Sequence, residues 1–187
     1  MMDNIIKESI EVKKNILLDK SLHTIIYNSI DSIVTAFQRG NKVMFCGNGG
    51  SAADAQHLAA ELSGRFYKDR KALPSDALHC NTSYLTAVAN DYNYDVIYSR
   101  LVDGIMNSGD ILIGLSTSGN SQNIINAFET AKEKQIITIG LTGKFGGKMG
   151  ILSDYLINVP STNTPRIQEA HIMIGHIICE LVESKLF

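Results

Sequence analysis

Apolar positions in this chain recur at two different periods. From Asn4 to Lys20, Ile5, Ile6, Val12, Ile16 and Leu17 fall among charged residues at helical spacing. From Leu22 to Arg39, Leu22, Ile25, Ile26, Ile30, Ile33, Val34 and Phe37 recur at steps of three or four, and Gly40 supplies a stop. These patterns predict two amphipathic helices. After Lys42 the apolar residues gather into short strand-length segments: Val43–Cys46, Asp76–Cys80, Ile111–Leu115, Ile136–Leu141 and Tyr155–Val159. Such runs suit strands buried on both faces. Between and after them, helical patterns cover Ser51–Ser63, Ser83–Asp91, Val96–Ile105, Gln122–Lys134 and Arg166–Leu186. Alternating strands and helices joined by short links predict an α/β fold: a five-stranded, doubly wound parallel sheet with helices on both faces, preceded by two long N-terminal helices. Each of those two is about 26 Å long, so the pair either forms an extra layer on the sheet or packs in a subunit interface. No linker or internal repeat divides the 187 residues, which are read as one domain, with 1–40 the helical pair and 41–187 the α/β core.

The turns after the strands carry the candidate chemistry. In KVMFCGNGGSAADAQHLAAE (Lys42–Glu61), the glycines after the first strand leave backbone amides free, and Ser51 stands where an N-cap would precede the helix. Loop amides, a hydroxyl and the positive helix end make an anion site. No Lys-Ser/Thr follows the glycines, and Ala77–Cys80 ends without the acidic residue that would meet a ribose, so a nucleotide site is disfavoured. Ser116-Thr117-Ser118-Gly119-Asn120-Ser121 repeats the strand–loop–helix motif with four hydroxyls in six residues, more than a turn requires. In parallel sheets ligands bind at the carboxyl ends of strands, where both loops lie.

Two further stretches admit a bland and a functional reading. Gly64–Lys71 holds four basic residues that could reach a phosphate or lie in a solvated loop. Asn90–Asp95 is a polar, aromatic break between helices, either a plain turn or a mouth over a sugar. Residues 142–150 are too glycine-rich for regular structure.

Composition narrows the partners. With 44% apolar and 19% charged residues the chain is a compact globular one, and a net charge of −2 without long charge runs argues against nucleic-acid or anionic-membrane surfaces. No apolar run spans a bilayer, and residues 1–15 lack the features of a signal or transit peptide, so a cytoplasmic protein is expected. Cys46, Cys80 and Cys179 lie far apart in apolar sequence and read as reduced structural thiols.

His57 and Glu61 are four apart on one helix face, and Gln168 and His176 eight apart near one face of another. Two such faces meeting would offer a divalent ion two imidazoles, a carboxylate and an amide. Spacing alone equally fits a solvated face and a satisfied core histidine. His23 and His79 read as structural.

Taken together, GNGGSAADAQHLAAELSGR (Gly47–Arg65), AND (Ala89–Asp91), STSGNS (Ser116–Ser121), LTGKFGGKM (Leu141–Met149) and RIQEAH…H (Arg166–His176) closely resemble the phosphoheptose isomerase family. That family lies within the SIS, or sugar isomerase, superfamily, whose fold is flavodoxin-like. The resemblance spans nearly the whole chain. It implies interconversion of sedoheptulose 7-phosphate and D-glycero-D-manno-heptose 7-phosphate, a first step toward ADP- or GDP-heptose for bacterial surface polysaccharide. It also implies a homotetramer with active sites between subunits. By motif position, Ser51, Ser116, Thr117, Ser118 and Ser121 would hold the phosphate or nearby hydroxyls. Asn48, Gly49, Gly50, Asn90, Asp91, Glu61 and Gln168 would complete the substrate site, Glu61 and His176 would be the catalytic pair, and His57, Glu61, Gln168 and His176 would be zinc ligands. Pro165 stands where relatives often carry an acidic residue before the arginine. The chemistry fits the residues: moving a proton between C1 and C2 through an enediol needs a carbon base, a group managing the hydroxyl proton, and exclusion of water. The competing readings are a non-catalytic SIS binding protein, of the type that associates with a replication initiator, and an isomerase for another sugar phosphate.

Overall fold

A computed structural model describes the whole chain, residues 1–187. Its five strands, β1 (Val43–Gly47), β2 (Ser75–Ala77), β3 (Ile111–Ser116), β4 (Ile137–Thr142) and β5 (Tyr155–Asn158), pair in parallel in the order β2-β1-β3-β4-β5. The helices are α1 (Met2–Leu18), α2 (Lys20–Gln38), α3 (Gly50–Ser63), α4 (Thr82–Asp91), α5 (Ile97–Ile105), α6 (Gln122–Glu133) and α7 (Thr164–Leu186). The expected doubly wound architecture is what forms.

Alternation along each strand sorts the core into two layers. Val43 and Phe45 of β1, with Ile111, Ile113 and Leu115 of β3, face α2, α3 and α7; Met44, Cys46 and Leu112 face α5 and α6. Because both faces of β1 are apolar and buried, its register is set by the parallel ladders to β2 and β3 and by side-chain shape rather than by a polar face. The first layer is the thicker because Val12 and Ile16 of α1 and Leu22, Ile26, Ile30 and Ile33 of α2 join it. The N-terminal pair is therefore an extra layer on the sheet. Its outer side still exposes Ile5, Ile6, Ile10, Leu17 and Leu18.

Several boundaries differ from the sequence reading, each for a local reason. β2 ends at Ala77 rather than Cys80 because the Cys80 N–H turns back to the Ala77 carbonyl. Ser51 is not the N-cap: α3 starts at Gly50 after Gly49, leaving Ser51 buried in the first turn. The glycine-rich stretch is not wholly irregular. Thr142 ends β4, and Lys148–Leu152 coil into 3₁₀ turns, with the Met149 N–H donating to the Gly119 carbonyl. α7 begins at Thr164, and Pro165 sits in its first turn, where a missing N–H costs nothing and the fixed φ suits the helix.

Candidate active site

At the carboxyl end of the sheet two loops stand side by side. The glycine loop leaves β1 at Gly47, whose carbonyl accepts from the Tyr98 hydroxyl, and enters α3 through Gly49 at φ +57°. The first-turn amides of α3 are taken up within the turn itself: the Ser51 N–H donates to the Asn48 carbonyl at 3.0 Å, and those of Ala52 and Ala53 to the Gly49 carbonyl at 3.1 and 3.2 Å. Gln168 of α7 packs against this turn, where a Cβ on Gly50 would stand 2.8 Å from its Nε2. In the serine loop, Ser116 Oγ lies 3.0 Å from Ser121 Oγ and 3.5 Å from Ser118 Oγ, so three hydroxyls converge ahead of α6. Thr117 instead helps line a cleft of about 290 Å³ with Lys144, Phe145 and Ser161. Asn90 donates to Asp91 (3.0 Å) at the exposed end of α4. From that region it is Tyr94 that reaches the glycine loop, its hydroxyl donating to Asn48 Oδ1 at 3.2 Å.

The second cluster lies farther along α3, where it crosses α7. His57 Nε2 is 3.0 Å from Glu61 Oε1, and His176 Nε2 is 3.4 Å from His57 Nε2. Ligand atoms of all three residues lie within 4.8 Å of one another. The crossing is close because Gly175 has no side chain: a Cβ there would stand 2.6 Å from Leu58 Cδ2. Phe66 walls the cluster, its ring centroid 5.8 Å from that of His176. Burial raises the carboxyl pKa of Asp54, one turn before His57, with the two nearby imidazoles pulling it the other way.

Beneath the cluster the Gly64–Lys71 segment is clamped, and here the sequence reading is corrected. Arg70 is neither solvated nor turned to a phosphate; its Nε donates to Glu183 Oε1 (2.9 Å), and both side chains are 2% exposed. Glu183 also accepts the backbone N–H groups of Phe66, Tyr67 and Lys68 at 3.0, 2.8 and 2.9 Å. Arg70 in turn donates to the carbonyls of Glu61 and Leu62, capping α3. Burial alone would raise the Glu183 carboxyl, but those donors hold it down at about 2.

Sequence reasoning missed Asn123, Phe66, Arg70 and Glu183. Asn123 did leave a signal, since a polar residue heads the otherwise apolar stripe Asn123, Ala127, Ala131 of α6. Glu183 left none, and Arg70 stood out only as one of the four basic residues of Gly64–Lys71, with nothing to show its buried partner.

The SIS domain model matches residues 9–143. Phosphoheptose isomerase 2 of Campylobacter jejuni is 55% identical over 180 residues, covering 96% of this chain and 90% of that protein. The phosphoheptose isomerase of Aneurinibacillus thermoaerophilus is 56% identical over 182 residues, covering 97% and 92%. The chain belongs to the phosphoheptose isomerase family of SIS-domain proteins. Among solved members, the enzyme of Neisseria gonorrhoeae is 40% identical with a TM-score of 0.91, covering 98% of this chain and 97% of that one. That of Francisella tularensis is 33% identical with a TM-score of 0.93. No helix of this family member is long and apolar enough to cross a membrane.

Proposed function

We propose that the protein is an intramolecular aldose–ketose isomerase that interconverts sedoheptulose 7-phosphate and D-glycero-D-manno-heptose 7-phosphate through an enediol. The convergence of His57, Glu61 and His176 across α3 and α7 carries this reading, because a merely binding SIS protein needs neither base nor acid. Family membership at more than half identity along nearly the whole chain supports the heptose substrate.

The chain's own groups divide the work. Ser116, Ser118 and Ser121, with Ser51 and the positive end of α3, grip the phosphate, with Thr117 at their edge. Asn48, Gly49, Gly50, Asn90, Asp91 and Gln168 complete the substrate site, with Asn48 at its phosphate end. Glu61 takes the proton from C1 and returns it at C2, while His176 opens the ring and shuttles a proton between O1 and O2. Phe66 helps exclude water from that end.

The three clustered donors also fit a zinc ion. Around tetrahedral zinc with bonds of about 2.0–2.1 Å, ligand atoms lie roughly 3.3 Å apart, close to the 3.0 and 3.4 Å separations here. His57, Glu61 and His176 would hold it, and Gln168, which here lies against Gly50 at the start of α3, would turn toward them to serve as fourth ligand. When bound, zinc supplies Lewis-acid polarisation of the carbonyl and charge stabilisation of the enediolate.

His57 and Glu61 lie about 10 and 16 Å along α3 from its first residue, at 1.5 Å per residue. That separation between phosphate grip and proton-transfer groups, with the uncovered apolar side of α1, supports a homotetramer whose sites are shared between subunits. The test is NMR of the purified protein in D₂O with sedoheptulose 7-phosphate, with and without chelator. Aldose signals with deuterium at C2 are expected, and loss of turnover on chelation assigns the metal a role. A folded protein giving no exchange with this ketose, nor with five- or six-carbon analogues, refutes the isomerase reading in favour of a binding protein.

A further inference from the structure

The polar break after α4 has a defined attachment that the reaction as described does not use. Asn48, the half-buried residue that leaves β1, makes a reciprocal amide pair with Asn123: each Nδ2 donates to the other's Oδ1 at 2.9 Å. The Tyr94 hydroxyl donates to the same Asn48 Oδ1 at 3.2 Å. Asn123 is 2% exposed in the first turn of α6, directly after the serine loop, and its amide bonds only to Asn48, so the sense of the reciprocal pair is set by the third partner, Tyr94. The segment carrying Tyr94 is held from a second side, since Asn126 Nδ2 of α6 donates to the Asp95 carbonyl at 3.0 Å. Three segments therefore meet on one amide: the glycine loop, the start of the serine-loop helix, and the aromatic break.

A side-chain amide has two acceptor lone pairs and two N–H donors. Both lone pairs of Asn48 Oδ1 are taken, by Asn123 and Tyr94, and one N–H is taken by Asn123. What remains is a single N–H. Resting on the isomerase reading above, we propose that Tyr94 is a positioning residue that, by setting the sense of the pair with Asn123, locks the Asn48 amide as a hydrogen-bond donor to the bound sugar phosphate. The sign of the group matters there, because phosphate and hydroxyl oxygens accept hydrogen bonds while a turned amide would present its own oxygen to an anion. Asn48 stands at the phosphate end of the site, away from Glu61 and His176, so its contact is made equally in ground and transition states. Losing its orientation therefore raises KM and spares kcat.

Tyr94→Phe tests this cleanly, since the ring is half exposed and only the hydroxyl is lost. Steady-state kinetics with sedoheptulose 7-phosphate are compared for wild type, Tyr94→Phe, Asn48→Ala and the double variant, with thermal melting as a control. Expected are a KM raised about fivefold in Tyr94→Phe, the loss of one ordinary hydrogen bond, with kcat within about twofold and an unchanged melting midpoint. In the Asn48→Ala background the same substitution should change nothing further, because Tyr94 acts only through that amide. An unchanged KM in Tyr94→Phe overturns the proposal, as does an equal rise in the Asn48→Ala background. Absence of turnover in the wild type would refute the isomerase reading instead. The network is then read by calorimetric binding of inorganic phosphate, whose Kd must rise in Tyr94→Phe, and an unchanged Kd overturns the proposal.

Discussion

Gly175→Ala isolates the helix crossing that assembles the His57, Glu61 and His176 cluster. The new Cβ would stand 2.6 Å from Leu58 Cδ2, about 1 Å short of ordinary carbon contact. Leu58 is itself buried and cannot swing aside, so α3 must move off α7 by about that amount. Overpacking of this kind costs about 1–3 kcal/mol, against about 1 kcal/mol gained from alanine's better helix propensity. The net loss of about 0–2 kcal/mol lowers the melting midpoint by at most about 8 °C in a domain of this size. Activity should suffer far more, because a displacement of about 1 Å between reacting groups can cost on the order of 10²-fold in rate. Thermal melting and turnover of sedoheptulose 7-phosphate are measured together, and Leu58→Ala is added to the Gly175→Ala variant to relieve the clash. Partial return of turnover in the double variant, despite its poorer stability, is the expected sign that helix spacing governs the site. Full activity in Gly175→Ala would refute the claim that the close crossing assembles it.

Three further outcomes follow from the same geometry. Glu61→Gln should lower kcat by about 10²–10⁴-fold while substrate affinity by calorimetry changes little; a turnover near wild type would remove Glu61 as the base. His57→Ala should weaken zinc binding in competition with a chromophoric chelator, and an affinity equal to wild type would exclude His57 as a ligand. Glu183 is held at about 2 against its ordinary 4.5, so its stabilising effect is complete above pH 4.5 and is lost as pH falls from there toward 2. Urea midpoints should therefore fall over that window in the wild type and run flatter in Glu183→Gln, which is weaker at pH 7 because Arg70 is left unpaired; parallel curves would show that Glu183 does not carry the acid dependence.

Much of the fold was readable because strand and helix periods are so distinct here. Runs such as Ile111–Leu115 are apolar at every position, as strands covered on both faces must be, and each is followed by turn chemistry. What misled was local hydrogen bonding that outranks composition. Leu78 and Cys80 look like strand, yet the Cys80 N–H closes a turn on Ala77 instead. Ser51 looks like a cap, but the backbone of Gly49 starts the helix one residue earlier and buries the hydroxyl. The Lys144–Met149 stretch looks shapeless until the serine loop is present to receive its backbone.

The site was less legible, for a reason that lies in the crossing of helices. His57 and His176 are 119 positions apart, and nothing in either local pattern says that their Nε2 atoms stand 3.4 Å apart. That separation is set by Gly175, which admits Leu58, and by the Arg70–Glu183 clamp, which fixes the end of α3 against α7. In sequence these three residues resemble a helix-weakening glycine and two surface charges. The serine loop needed no such information, since its hydroxyls converge within one turn of chain. The hydroxyls proposed to grip the anion are thus written locally and can be read from spacing, while the groups proposed for proton transfer are brought together only by tertiary packing. Substitutions at the packing residues should accordingly disturb kcat before KM, whereas those in the loops should disturb KM first.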